Sequence, residues 1–191
     1  IYNLSKISDS IIDYRKDLRD FPQLLEVFKK EKPEIVFHLG AQALVIDGYS
    51  SPLETFQTNT MGTANVLEAI RLTDSVTTAV MVTTDKVYEN KEWIWPYREE
   101  ETIGGYDPYS ASKGACELII SSYRNSFFNT NKYDDHGKAI ASVRAGNVIG
   151  GGDWCENRII PDCIKSIEKN EVIEVRSPNA IRPWQHVLEP I

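Results

Sequence analysis

No apolar run in this 191-residue chain approaches the ~18 residues of a membrane-spanning helix, and no charged-then-apolar leader opens it. Basic clusters are missing too. Lysine and arginine total 21 against 28 aspartates and glutamates, for a net charge of −7. That balance speaks against a surface for nucleic acid or for an anionic membrane, while a local pocket for a phosphorylated ligand stays compatible with it. Cysteine is scarce: Cys116, Cys155 and Cys163 are odd in number and form no C-x-x-C pair. Neither a disulfide framework nor a zinc site is supported, no metal is expected, and a reducing cytoplasm is the expected setting. The chain has no internal repeat and no low-complexity segment. It also lacks a starting methionine, and Glu189-Pro190-Ile191 ends it without a closing element. Both ends read as cut, as in a fragment of a longer protein.

What is present is the composition of an ordinary globular protein, 41% hydrophobic and 26% charged, with enough length for one well-buried core. Ile35-Val36-Phe37-His38-Leu39, Ala79-Val80-Met81-Val82 and Ala139-Ile140-Ala141-Ser142-Val143 read as strands. The first two are continuously apolar, the pattern of strands covered on both faces. Helical patterns lie between them, over Gln23 to Glu31, Pro52 to Leu72 and Tyr109 to Asn125. This alternation predicts βαβ units and a mainly parallel α/β sheet with helices on both faces. Such sheets bind ligands beyond the carboxyl ends of their strands. Those ends carry His38 to Gln42, Thr83 to Lys86 and Arg144 to Asn147. After Gly152 the pattern loosens: Arg158 to Lys169 reads as a helix, Val172 to Arg176 as a short strand and Arg182 to Val187 as an extended piece. Residues 1–149 are expected to form one domain, and 150–191 to begin a smaller substrate-side region.

Two clusters carry chemistry. In Tyr109-Ser110-Ala111-Ser112-Lys113 a phenol and an ammonium stand four residues apart, one turn along the same helix face. A cation so close favours the phenolate and lowers the phenol pKa from its ordinary value near ~10. The pair makes a base able to take a proton from a sugar or alcohol hydroxyl near neutral pH. The second cluster is Thr83-Thr84-Asp85-Lys86-Val87-Tyr88, directly after a strand. It brings out a hydroxyl, a carboxylate and an ammonium together.

These clusters stand in a series with Asp17-Leu18-Arg19-Asp20, His38-Leu39-Gly40-Ala41-Gln42, Asn59-Thr60-Met61-Gly62-Thr63 and Arg182 to Val187. The series resembles the extended short-chain dehydrogenases/reductases, specifically the nucleotide-sugar 4,6-dehydratases. Most hexose 4,6-dehydratases of that family read T-D-E-V-Y where this chain has Thr84-Asp85-Lys86-Val87-Tyr88. Lys86, with Gly150-Gly151-Gly152-Asp153-Trp154 and Arg182-Pro183-Trp184-Gln185-His186-Val187, is similar to the branch that acts on CDP-glucose. The resemblance implies a Rossmann-like, doubly wound parallel sheet that binds NAD, with part of a smaller substrate domain. It also implies a nucleotide-sugar substrate, no metal, and a homodimer paired through helices that include the Tyr109 helix. The product class would serve deoxysugar and O-antigen type (lipopolysaccharide) synthesis.

The same resemblance implies residue roles. Tyr109, helped by Lys113 and Thr84, takes the proton of the sugar 4-hydroxyl while C4 is oxidised. The C4 ketone acidifies the C5 proton, which a neutral Lys86 amine removes, and a protonated Asp85 donates to the departing C6 hydroxyl. Asp17 meets the adenine amino group with Leu18 against the ring, and Leu39, Ala41, Gln42, Thr83, Tyr109 and Lys113 contact the cofactor. Asn147, Arg158 and Arg182 contact substrate, with Arg182 suited to a diphosphate. Asn59 matches an asparagine near the active site, and His38 and His186 read as structural. One family feature is missing. No G-x-G-x-x-G or G-x-x-G-x-x-G precedes Asp17, and Gly146 to Gly152 has the wrong spacing. The first strand, turn and helix are expected to lie outside this segment, as is much of the substrate region. A dehydratase for another nucleotide hexose, a 4-epimerase and a catalytically silent NAD-binding protein remain the alternatives.

Overall fold

Asp20 caps the helix that precedes the first strand. Its side chain accepts a hydrogen bond from the Gln23 backbone N–H at 3.1 Å, and Pro22 follows in the first turn, where a missing N–H costs nothing. Helix α1 runs from Phe21 to Glu31 and ends where Lys32 turns left-handed, at φ 49°. In the computed structural model, which describes residues 5–190, the chain then alternates strands and helices. Strand β1 (Ile35–His38) is followed by α2 (Val45–Ser50), α3 (Pro52–Phe56), a π-helical turn (Gln57–Met61) and α4 (Gly62–Arg71). Strand β2 (Thr78–Thr84), α5 (Pro108–Ser126), α6 (Tyr133–His136) and β3 (Ala139–Ala145) come next. Strand β4 (Asn147–Ile149), α7 (Ile159–Lys169) and β5 (Trp184–His186) close the described part.

Two compact units result. The larger spans Asp13–Arg144, and the smaller takes in the residues up to Ile12 and those from Ala145 onward. In the larger unit the sheet order is β1-β2-β3, with β1 and β2 parallel and Ile35 opposite Thr78. The smaller unit carries β4 and β5 as a parallel pair, with Asn147 opposite Trp184. Parallel β1 and β2 joined through α2–α4 form the expected βαβ unit.

The core of the larger unit lies against one face of the sheet. Phe28 of α1, Val66, Leu67 and Ile70 of α4, and Cys116 and Ile120 of α5 cluster with Ala79, Met81 and Ile140 of the strands. Each fully buried Leu or Ile in that cluster contributes about 1.5–3 kcal/mol relative to exposure. Ile35, Phe37 and Val143 point the other way and are exposed. The continuous apolar pattern of these strands is thus met by two apolar faces. Among the described residues, helices pack only one of them.

Three details differ from the sequence pattern. The segment from Pro52 is not one uniform helix, because Gln57–Met61 widens into a π turn. Val172 to Arg176 forms no strand, since it has no hydrogen-bonded neighbour strand among the described residues. The extended piece near Arg182 is β5, and it is shorter than expected.

Candidate active site

The phenol and ammonium stand at the start of α5, and the local sequence explains how they are held. The Asp107 carboxylate accepts from the Ser110 backbone N–H at 3.0 Å and from the Ser110 hydroxyl at 2.6 Å, capping the helix, and Pro108 begins it. Tyr109 therefore lies in the first turn of a 19-residue helix, at the positive end of its dipole. One turn on, Lys113 is buried, and its Nζ donates to the Val82 carbonyl of β2 at 3.0 Å. That bond ties the helix to the strand that leads into the second cluster. Burial pushes the Lys113 ammonium below the ordinary lysine value, while Cys116 and Glu117 pull the other way.

The second cluster forms a tight turn. Thr84 caps a 3₁₀ turn over Asp85–Val87, its hydroxyl accepting from the Lys86 N–H at 3.4 Å and donating to Asp85 at 3.1 Å. Asp85 and Lys86 form a partly buried ion pair at 3.5 Å. The Thr83 hydroxyl faces inward instead, toward the Glu117 carboxylate and the Val143 carbonyl. All five residues expected to be catalytic thus belong to the larger unit.

The residues expected beside a cofactor gather at the carboxyl end of β1. Leu18 packs so closely on Gly40 and Gly62 that an added Cβ at Gly40 would lie 2.6 Å from Leu18 Cδ1 and one at Gly62 3.2 Å from Leu18 Cβ. A side chain at either glycine would make Leu18 shift. The Arg19 guanidinium grips Asp17 and holds its carboxyl down to about 2. Leu39 is exposed, and Ala41 and Gln42 are half-buried. The Gln42 N–H donates to the Asn59 side chain at 2.7 Å, and Asn59 in turn donates to the Gln42 carbonyl at 3.0 Å and to Ser112 on α5 at 2.9 Å. Asn59 therefore clasps the β1 loop to the Tyr109 helix, and the π turn aims it there.

His38 serves the packing, as its sequence context suggested: its Nε2 lies 3.0 Å from the Thr63 hydroxyl. Burial, then the charge of Lys113, push its imidazole down to about 4. An unfolded chain binds a proton at His38 below pH ~6.5, and the folded chain does so only near pH 4, so stability falls as pH drops through this window. The full shift corresponds to about 3 kcal/mol. Urea unfolding followed from about pH 7 to pH 4 should show that loss in the wild type and a clearly smaller loss in His38→Asn. Equal slopes would remove His38 as the cause.

The three residues expected to touch substrate lie in the smaller unit. The Asn147 backbone N–H bonds the Pro183 carbonyl at 3.0 Å, which brings Asn147 beside the exposed Arg182 segment. Arg158 stands at the start of α7 and pairs with Asp153 at 2.7 Å.

The sequence profile of the GDP-mannose 4,6 dehydratase family matches residues 2–191, almost the whole chain. The chain belongs to this family. It is 50% identical over 191 residues to CDP-glucose 4,6-dehydratase of Salmonella typhimurium, covering 100% of this chain and 53% of that enzyme. The chain therefore spans about half the length of that relative. Among solved structures it is similar to dTDP-glucose 4,6-dehydratase DesIV of Streptomyces venezuelae, crystallised with NAD and DAU, at TM-score 0.78 and 21% identity over 96% of this chain and 54% of that one. UDP-glucose 4-epimerase of Thermotoga maritima matches with TM-score 0.78 and 21% identity over 91% of this chain and 54% of that one. At such identities these neighbours speak to the fold, and the Rossmann-like α/β class stands with them.

Within this GDP-mannose 4,6 dehydratase family member, sequence reasoning assigned no role to Glu117 or Arg144. Both are held tightly: the Arg144 side chain donates to Glu117 through Nε at 3.1 Å and Nη2 at 3.2 Å. The available signal was spacing, since Glu117 follows Lys113 by four residues and must share its inward face. Among the described residues no group of three His, Cys, Asp or Glu is arranged to hold a metal, and no helix is long and apolar enough to cross a membrane.

Proposed function

We propose that the full-length protein is an NAD-dependent CDP-glucose 4,6-dehydratase, a lyase that converts CDP-glucose to CDP-4-keto-6-deoxyglucose and water. The observation that carries this reading is the meeting, within one unit, of the Tyr109–Lys113 helix with the Thr84-Asp85-Lys86 turn. A 4-epimerase needs the first and has no use for the acid and base of the second. The 50% identity to a CDP-glucose enzyme supports the choice of nucleotide.

The chain's donor set fits NAD. Lys113 directs one of its three N–H donors to Val82, which leaves capacity for ribose hydroxyls and the Tyr109 phenol. Asp17 and Leu18 would hold the adenine end. Leu39, Ala41, Gln42 and Thr83 would line the middle, with Tyr109 and Lys113 at the nicotinamide end. NAD, when bound, supplies a reversible hydride acceptor. The remaining work belongs to the side chains: Tyr109 takes the 4-hydroxyl proton, Lys86 the C5 proton, and Asp85 protonates the leaving 6-hydroxyl. Asn147, Arg158 and Arg182 would bind the nucleotide diphosphate. A homodimer through α5, whose Leu118 is exposed, and a cytoplasmic role in deoxysugar supply for lipopolysaccharide synthesis complete the proposal.

The test is an assay of the full-length protein with NAD+ and CDP-glucose beside UDP-, GDP- and dTDP-glucose, following 4-keto-6-deoxy sugar. Selective turnover of CDP-glucose is expected. A 4-epimer product, or bound NAD without reaction, would overturn the reading.

A further inference from the structure

The turn that carries Asp85 and Lys86 is anchored on both sides, and both anchors converge on one ion pair. On its amino-terminal side the Thr83 hydroxyl bonds Glu117. On its carboxyl-terminal side the Tyr88 hydroxyl accepts from Arg144 Nη1 at 2.9 Å, and the Arg144 guanidinium lies 4.9 Å from the Tyr88 ring centre. Arg144 then closes the circle by its two-pronged bond to Glu117, a side chain only 5% exposed, one helical turn beyond Lys113. The same guanidinium donates to the Glu99 carbonyl at 2.9 Å, inside the excursion of residues 88–104 that links the turn to α5. That excursion is itself closed by Glu89 N–H to Thr102 and Gly104 N–H to Val87, each at 2.9 Å.

We propose that Glu117 and Arg144 are positioning residues that set Asp85 and Lys86 against Tyr109 and Lys113. The proposal rests on the dehydratase reading and deepens it. A buried ion pair adds little net stability compared with apolar packing, so a pair with this much directional bonding acts chiefly through geometry. It joins the end of β2, the end of β3 and the inward face of α5, the three elements that meet at the reaction centre. Burial opposes the Glu117 charge, but hydrogen bonds from Arg144 and Thr83 hold its carboxyl below the usual carboxylate range, so the anchor stays charged at neutral pH.

Oxidation at C4 depends on Tyr109 and Lys113, whereas loss of water depends on Asp85 and Lys86. Loosening the anchor should therefore uncouple the two steps. The experiment uses full-length holoenzyme with CDP-glucose and the variants Arg144→Lys, which keeps the charge and loses the fork, and Tyr88→Phe, which removes only the hydroxyl. Absorbance of reduced nicotinamide reports C4 oxidation, product analysis reports dehydration, and urea unfolding reports stability. The expected result is dehydration slowed about 10- to 100-fold, the size of an ångström-scale misplacement. C4 oxidation should change less than about threefold, and reduced nicotinamide should accumulate. Parallel loss of both steps, or unchanged dehydration in both variants, would overturn the inference. Should Arg144→Lys not fold, Tyr88→Phe decides alone. A wild type that makes no 4-keto-6-deoxy sugar removes the dehydratase reading itself, which separates the two failures.

Discussion

Tyr109→Phe should lower kcat of the full-length enzyme by about 10²- to 10⁴-fold, the usual worth of a positioned general acid–base group. KM and stability should hardly move, because phenylalanine keeps the ring and loses only the oxygen proposed to take the proton. Two features prepare that oxygen for the task. Tyr109 lies in the first turn of α5, where the unpaired N–H groups and the helix dipole favour a negative charge by about 0.3–1 kcal/mol. Lys113, one turn away, is buried and fixed to the Val82 carbonyl, so its charge has a defined direction. Lys113→Met should accordingly produce a loss of similar order and move the acid limb of the pH–kcat profile to higher pH, since without the cation the phenol ionises less readily. A Tyr109→Phe enzyme that keeps more than about a tenth of its kcat would end the assignment of Tyr109 as the base.

The pairing of Tyr109 with Lys113 was legible because helix period alone fixes which face residues 109 and 113 share. The strands were legible for a similar reason: apolar runs of four or five residues, with turn residues on either side, have few alternatives. What lay beyond reach depended on distant partners. Glu117 and Arg144 are 27 residues apart, and their meeting requires the β2–β3 neighbourhood and the docking of α5, neither of which a local pattern contains. The π turn at Gln57–Met61 left no mark, because Gln57-Thr58-Asn59-Thr60-Met61 continues the helical pattern on either side. Its cause is tertiary. Asn59 satisfies Gln42 on one side and Ser112 on the other, and the wider turn is what lets one side chain reach both. The sheet supplies the reverse case. Its apolar pattern announced two buried faces, and pattern alone says which side chains avoid water without saying which part of a protein covers them; hence Ile35 and Phe37 stand exposed here.

The second large effect should fall on water loss. Asp85 and Lys86 form an ion pair at 3.5 Å, whereas elimination calls for the opposite arrangement, a protonated acid and a neutral base. The two states differ by one proton passed from the ammonium to the carboxylate, so no exchange with solvent is needed to interconvert them. Exclusion of water by bound substrate favours the neutral pair, because desolvation penalises both charges at once. Thr84 holds the pair in register: its hydroxyl bonds the Asp85 carboxylate and the Lys86 backbone together. On this account Lys86→Ala should reduce dehydration by about 10²- to 10⁴-fold while C4 oxidation continues, and the C5 proton of the sugar should stop exchanging with solvent deuterium. Lys86→Glu, which installs the T-D-E-V-Y pattern of most hexose 4,6-dehydratases, should recover much of that loss. Dehydration that survives Lys86→Ala would transfer the C5 proton to another group, and Asp85 would then be the first residue to test for it.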